Sequence, residues 1–299
     1  MQPMWLPLQL VSVFCWATVN VLDSVLVQHY EKKPSVLQWH QSFYTSAALV
    51  VLALLFPIQT SWWPALMAAG FTGYLGDRLF FHVIDRVDVS VTNITWAMLS
   101  IFLSVGGMVF FGERWTLWQG SGVVLVVAGI LMLSLWGKHV GSWKNFLMLV
   151  LLAVLYAPFY LTQKYAIASG VGVLTSFIWL LFGREVFSAI LPLFSTTLRS
   201  QAFAAFRHNA SFPLLNAAVV AFFFGGTYLT AMAYQSGPIS LVSIVSNVQP
   251  FVTLFLAWVL WMLLPRSASR ELLTVEAVGV KIAAFLVVLG GLALLALHP

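Results

Sequence analysis

No stretch of this chain is polar over enough residues to form a water-exposed domain. Of its 299 residues, 61% are hydrophobic and only 8% are charged, whereas about a quarter of the residues of a soluble domain are charged. The surface of the folded chain must therefore face lipid, which excludes a soluble enzyme or binding module. Ionisable residues are costly inside a membrane and usually functional there, so the few within apolar runs are the first site candidates.

Apolar runs of about 20 residues, the length that crosses a bilayer as a helix, occur ten times. A β-barrel would instead need alternating segments of about ten residues, and these runs are continuous. We therefore predict an all-α, polytopic protein of the cell (cytoplasmic or inner) membrane with ten transmembrane helices. The predicted spans are 4–28, 35–57, 64–84, 89–111, 116–136, 146–168, 172–195, 213–235, 239–264 and 275–297.

Basic residues near helix ends predict how the chain is oriented in the membrane. The even-numbered connections carry Arg114, and Lys164 lies inside a helix end. The odd-numbered connections carry nine basic residues, namely Lys32, Lys33, Arg86, Lys138, Lys144, Arg199, Arg207, Arg266 and Arg270. The rule places the odd connections in the cytoplasm and both termini outside. Because these residues lie at helix ends near Trp and Tyr, they indicate contacts with membrane lipids, and we expect no nucleic-acid partner.

Weak internal similarity divides the chain into two halves, residues 1–140 and 141–299. Trp179 follows Trp39 by 140 residues, and Gly226 follows Gly76 by 150. Each half contains five predicted helices, and because five is odd, the second half would be inserted upside down relative to the first. Inverted repeats are typical of transporters whose substrate site lies near the midplane between the halves.

Short motifs carry a resemblance to a known family. Residues 111–117 (FGERWTL), followed by Gly122 and Gly129, resemble the end of the fourth helix and the fifth helix of an EamA-type repeat. Residues 237–238 (GP) and 246–251 (SNVQPF) resemble the ninth helix of the same family. This family belongs to the drug/metabolite transporter superfamily. The resemblance implies two five-helix EamA-like repeats and a transporter, not an enzyme, with amino acids or related metabolites as the usual solutes.

The chain departs from the family pattern in two respects. Its second half has residues 264–267 (LPRS) in place of the Gly-Glu step after the fourth helix. The resemblance also implies cytoplasmic termini, opposite to the charge count. An inverted-symmetric fold can insert either way up, so the direction of transport stays open. Glu113 of the first half is expected to cap a helix or contact a neighbouring one.

Polar, charged and aromatic residues inside the predicted helices form the candidate substrate-binding set. Its arginines could hold a carboxylate or phosphate of the solute, and Asp23 or Asp77 with His40 could carry a proton through a transport cycle. The set is Asn20, Asp23, His40, Tyr44, Asp77, Arg78, Asn93, Trp96, Arg184, Glu185, Tyr228, Asn247 and Gln249.

Structural ion pairs are the alternative interpretation of the same charges. Asp77 or Asp23 could pair with Arg78, and Glu185 with Arg184. Neighbouring residues of a helix point about 100° apart, so Asp77 and Arg78 cannot face one narrow cavity as a pair. Each is therefore expected to have its own partner.

Three functions remain open at this level. The leading one is a secondary transporter that moves a small organic solute by alternating access, with protons as a candidate coupling ion. The second is a flippase for a phospholipid or a lipid-linked sugar phosphate. The third, an intramembrane enzyme using Asp23, His40 and Asp77, lacks a nucleophile at a diagnostic spacing. The sequence contains no phosphate-binding glycine loop and no paired metal-binding cysteines, so we expect no cofactor and no metal site.

Two further features predict local structure. Pro158 and Pro250 lie inside predicted helices, where proline removes a backbone hydrogen bond and can kink the helix. The connection 196–212 has apolar residues at helical spacing with basic flanks, which predicts a helix on the membrane surface.

Overall fold

The computed structural model describes residues 4–30, 33–84, 89–135, 143–205, 211–263 and 275–297, and all regular secondary structure in these ranges is helical. The all-α prediction is therefore confirmed. The helices are α1 (Trp5–His29), α2 (Pro34–Leu55), α3 (Trp63–Ile84), α4 (Val89–Phe111), α5 (Leu117–Leu135), α6 (Trp143–Ala168), α7 (Val173–Phe194), α8 (Thr196–Ala205), α9 (Ser211–Ser236), α10 (Ile239–Ser246), α11 (Gln249–Leu263) and α12 (Val275–Leu297).

Nine predicted spans match single helices to within three residues at each end. The ninth, 239–264, is instead divided into α10 and α11 at Asn247 and Val248. Pro250 has no N–H, so the helix that contains Ser246 cannot continue its hydrogen-bond ladder through this position. By contrast, α6 and α7 continue past Pro158 and Pro192 as single helices.

Five segments of the described residues are long and apolar enough to cross a membrane by length and composition, namely Trp5–Val27, Leu147–Ala168, Val173–Phe194, Ser211–Ser236 and Ile239–Leu260. The helices α2, α3 and α4 have 22, 22 and 23 residues, which is about 33 Å at 1.5 Å per residue. They are long enough to span, but α2 and α3 contain several polar or charged residues, which lower their mean hydropathy. Ten spans therefore stay a prediction.

The helices pack in pairs that connect the two halves of the chain. In this bundle α1 packs against α9, α5 against α12, α3 against α6 and α7, α2 against α7 and α9, and α4 against α6 and α10. Glycines permit the closest approaches. A Cβ atom at Gly122 would lie 2.8 Å from the carbonyl oxygen of Gly291, so α5 and α12 touch backbone to backbone there.

The helix predicted in the connection 196–212 is present as α8, which packs against α7 and α2; its position at the membrane surface stays a prediction. Its carbonyl oxygen at Ala202 lies 3.1 Å from the Nε2 atom of His40. Residues 206–210, between α8 and α9 in the sequence, lie outside the described ranges.

Opposite charges secure the turn between α9 and α10. Glu113 accepts hydrogen bonds from the backbone N–H groups of Ile239 at 2.6 Å and Ser240 at 3.1 Å. Lys164 donates to the carbonyl oxygens of Tyr234 and Gly237, at the end of α9. A carboxylate thus meets the positive end of α10 and an ammonium the negative end of α9, as helix dipoles favour. The helix-capping role predicted for Glu113 is confirmed.

Candidate functional site

The closest approach of α3 and α7 determines where the charged residues of these helices meet. A Cβ atom at Gly70 would collide with the carbonyl oxygen of Leu180, and one at Gly183 would collide with that of Met67. The backbones can therefore touch only because both positions are glycine. Asp77 lies two turns after Gly70 on the same face of α3, and Arg184 immediately follows Gly183.

Arg184 and Asp77 form a bidentate ion pair between α7 and α3. The Nε atom of Arg184 lies 2.7 Å from one carboxylate oxygen of Asp77, and Nη2 lies 2.9 Å from the other. The hydroxyl of Tyr156 on α6 donates a third hydrogen bond to the same carboxylate, at 2.5 Å. Both oxygens of Asp77 are thus occupied by donors from the second half of the chain.

A second carboxylate flanks the guanidinium. One oxygen of Glu185 lies 3.6 Å from the Nε atom of Arg184. The other accepts a 2.6 Å hydrogen bond from the hydroxyl of Ser42 on α2. Asp77, Arg184, Glu185, Ser42 and Tyr156 therefore form one connected group, which we call the charged cluster.

Aromatic rings enclose the charged cluster. The guanidinium carbon of Arg184 lies 5.1 Å from the ring centre of Phe223 on α9 and 5.8 Å from that of Phe159 on α6, distances typical of cation–π contacts. Trp16 on α1 packs edge-on against Phe223 at 5.3 Å. Trp96 on α4 lies 5.5 Å from Tyr156. Side chains from seven helices, including the two that form the ion pair, thus come together here.

The side chains of the cluster are mostly buried. The side chains of Arg184, Asp77 and Glu185 are 16%, 14% and 10% exposed, respectively. Two carboxylates against one guanidinium leave the cluster with an excess of negative charge when all three groups are ionised. Buried charges need compensation, so the cluster can accept a positively charged group or a proton.

Most of the remaining charged candidates lie apart from the cluster. Arg78 is exposed although it is adjacent to Asp77. Asp23 is half-buried on α1 and accepts a 2.5 Å hydrogen bond from the side-chain amide of Gln41, while Asn20 is exposed. His40 is fully buried between α2 and α8.

The uncharged candidates occupy several environments. Trp96 contacts the charged cluster through Tyr156. Tyr228 packs against Phe177 at 5.6 Å, and Tyr44 and Gln249 are half-buried. Asn247 is 2% exposed at the α10–α11 break. The side chain of Asn93 lies outside the described part of the structure.

Sequence reasoning did not assign Asp77 to Arg184, nor did it select Tyr156, Phe159, Phe223 or Ser42. Asp77 and Arg184 are separated by 107 residues, and only the contact between α3 and α7 brings them together. One signal was available, since Gly70 and Gly183 each lie near a charged residue within an apolar helix.

A bundle of apolar helices that holds a buried charged cluster between them is typical of membrane transport proteins. Residues 3–135 match the model of the EamA-like transporter family. This first part of the chain is therefore similar to the EamA family of the drug/metabolite transporter superfamily, whose members are transporters and not enzymes. The resemblance drawn from the sequence motifs is confirmed.

A solved structure, described only as a crystal structure of protein, is similar over 100% of both chains, with a TM-score of 0.66 and 14% sequence identity. At this identity the similarity concerns the fold alone. No curated protein sequence matches the chain.

Proposed function

We propose that this protein is a secondary transporter that carries a small organic solute, an amino acid or a related metabolite, across the cell membrane by alternating access. The observation that supports this most directly is the charged cluster. It is built from α2 and α3 of residues 1–140 and from α6 and α7 of residues 141–299. The contacts within such a site must change whenever the two halves move relative to each other.

The pattern of helix contacts supports a two-fold relation between the halves. The counterparts are α1 and α6, α2 and α7, α3 and α9, α4 and the pair α10 and α11, and α5 and α12. Exchanging each helix with its counterpart turns the α1–α9 contact into an α6–α3 contact. The same exchange turns the α4–α6 contact into a contact of α10 and α11 with α1. All four contacts occur. The α2–α7 and α5–α12 contacts convert into themselves.

Individual residues follow the same exchange. Gly76 packs against the ring of Tyr156, and Gly226 packs against the indole of Trp16. The indole of Trp39 donates to the carbonyl of Ala189 on α7, and that of Trp179 donates to the carbonyl of Ile58, just after α2. These matched contacts favour two inverted five-helix repeats with the site between them.

The chemistry of the cluster fits a solute with an ammonium group. Asp77 is fully engaged by Arg184 and Tyr156, whereas Glu185 lies 3.6 Å from Arg184 and accepts one hydroxyl. Glu185 is therefore the group best placed to receive the ammonium of a solute, with the surrounding rings adding cation–π attraction. A proton on Glu185 would compensate the same charge in the absence of solute, which gives a route to proton coupling.

Counterflow in proteoliposomes tests the proposal. Purified protein is reconstituted in vesicles loaded with a mixture of unlabelled amino acids and amines, and uptake of each labelled compound is followed. We expect saturable counterflow of at least one compound, and a reduction of tenfold or more in Glu185→Gln and Arg184→Gln. Arg78→Gln, which changes an exposed arginine that follows Asp77 in the sequence but lies outside the cluster, is the matched control and should retain transport.

The flippase alternative gives a different result in the same vesicles. A flippase would move a labelled phospholipid between leaflets, while none of the water-soluble compounds would exchange. That pattern would overturn the solute-transporter proposal.

A further inference from the structure

Thr227 on α9 has a buried hydroxyl that no described residue satisfies. The residue is 4% exposed, and its Oγ1 atom has no hydrogen-bond partner in the described part of the chain. Threonine within a helix can bond a carbonyl oxygen one turn earlier, and Thr227 does not. By contrast, the hydroxyl of Thr230 on the same helix lies 2.7 Å from that of Ser12 on α1. Because an unpaired buried polar group is costly, the hydroxyl of Thr227 indicates a partner outside the chain.

The neighbours of Thr227 show which way its side chain points. A Cβ atom at Gly226 would meet the indole of Trp16, so that side of α9 faces α1. The ring of Tyr228 packs against that of Phe177 on α7, so the side that carries Tyr228 faces α7. Successive residues of a helix point about 100° apart, and Thr227 is buried. Thr227 therefore faces the space between α1 and α7 inside the bundle.

The charged cluster borders the same space. Phe223 lies one turn before Thr227 on the same face of α9, and its ring centre lies 5.1 Å from the guanidinium carbon of Arg184 on α7. Trp16, on the α1 side, packs edge-on against Phe223 at 5.3 Å. Thr227 is therefore one helical turn, about 6 Å along α9, from a ring that contacts the cluster.

The two-fold relation between the halves assigns a counterpart to Thr227. Gly226 follows Gly76 by 150 residues, and each of the two glycines packs against an aromatic ring of the opposite half. The residue after Gly226 is Thr227, and the residue after Gly76 is Asp77, which binds Arg184. Thr227 thus occupies the position in the second half that the carboxylate of the cluster occupies in the first.

The same exchange gives Arg184 an uncharged counterpart. Tyr44 precedes Arg184 by 140 residues, which is the spacing of Trp39 and Trp179, the two tryptophans with matched contacts. The ion pair on one side of the two-fold relation therefore corresponds to two hydroxyl-bearing residues on the other. A solute held between the halves meets charged groups at one end and a neutral hydrogen-bonding group at the other.

We infer that the hydroxyl of Thr227 binds an uncharged oxygen of the solute, a hydroxyl or an amide carbonyl, while the ammonium group of the solute lies at Glu185. This role rests on the proposed transport function and specifies its substrate class. A threonine hydroxyl carries no charge, so it suits a neutral oxygen better than a carboxylate, whose burial needs a compensating cation. The substrate class is amines and amino acids that carry a hydroxyl or amide group.

Counterflow with matched pairs of compounds tests this assignment. The members of each pair differ in the oxygen-bearing group, as in threonine and valine, asparagine and leucine, or ethanolamine and ethylamine. The wild type should prefer the oxygen-bearing member of at least one pair by about tenfold or more. Thr227→Val keeps the shape of the side chain and removes the hydroxyl, so this preference should disappear. Thr227→Ser should keep it.

Thr230→Val is the matched control. It also removes a buried hydroxyl from α9, but one that bonds Ser12 in the contact with α1. We expect a lower melting temperature and an unchanged preference between paired compounds. A preference that survives in Thr227→Val, or that both valine variants lose equally, would overturn the role of Thr227 and leave the proposed transport function intact.

Chemical accessibility of position 227 gives a second measurement, which needs no solute. Thr227→Cys and Thr230→Cys are prepared in a Cys15→Ala background, because Cys15 is the one cysteine of the chain. Proteoliposomes are then treated with a water-soluble, cationic methanethiosulfonate. We expect modification at position 227, because a solute site must open to water during transport, and none at position 230.

The two measurements separate the two proposals. An unmodified cysteine at position 227 would contradict the role of Thr227 whatever the counterflow result. Modification at position 227 without counterflow of any compound would support a water-accessible site at Thr227 and contradict the solutes of the proposed function.

Discussion

Arg184 on α7 binds both carboxylate oxygens of Asp77 on α3, at 2.7 and 2.9 Å, and the two residues come from opposite halves of the chain. Fork-shaped pairing of this kind fixes direction as well as distance. Glu185 and Tyr156 attach to the same pair, so the position of α7 relative to α3 is coupled to four polar side chains. Movement between the halves must rearrange this group.

The first prediction concerns the energy of that pair. Asp77→Asn leaves the guanidinium of Arg184 with only the more distant Glu185, so we expect a clear loss of stability. In a double-mutant cycle with Arg184→Gln, the coupling energy should be about 0.5–3 kcal/mol, as for contacting residues. Melting temperatures of the four proteins measure it. Arg78→Gln is the control, and a coupling near zero would mean that the pair is not formed.

The second prediction concerns the contact between α3 and α7. Gly183→Ala places a Cβ atom against the backbone of Met67, so it should separate the helices and impair both stability and transport. Gly290→Ala, also within a helix but with open space around it, should be neutral or slightly stabilising because alanine favours helix. Melting temperature and counterflow are the measurements. Equal behaviour of the two variants would contradict the close approach.

The third prediction concerns the cap of α10. Glu113→Ala leaves the N–H groups of Ile239 and Ser240 without their acceptor, and we expect a loss of about 1–3 kcal/mol. Glu113→Gln retains an oxygen acceptor and should lose less. The order of melting temperatures, wild type above Gln above Ala, checks this. A glutamine variant as unstable as the alanine variant would show that the negative charge matters more than the hydrogen bonds.

The fourth prediction concerns orientation. Nine basic residues in the odd connections predict that both termini lie outside the cytoplasm. Alkaline phosphatase fused after residue 299 should therefore be active in a bacterial host, and a green fluorescent protein at the same point should be dark. The opposite pair of signals would show that the chain inserts with its termini in the cytoplasm.

Helix positions were predictable because a segment in lipid must satisfy its backbone hydrogen bonds within its own helix. Each span must bury about 20 residues of backbone hydrogen bonds within itself, so composition alone reveals α1 to α7, α9 and α12. The break at Asn247 was harder to predict, since Pro158 and Pro192 lie in helices that continue. Proline removes one backbone hydrogen bond from a helix, but the packing around the proline decides whether the helix ends there.

By itself, the sequence determined the membrane class, the helical architecture and the family to which residues 3–135 are similar, because these follow from apolar length and from short local motifs. It also identified Asp77, Arg184 and Glu185 as charges that needed an explanation. Only the tertiary structure decided that Arg184 is the partner of Asp77. Helix rotation and glycine contacts determine which side chains face each other, and neither is encoded in the hydropathy of a single segment.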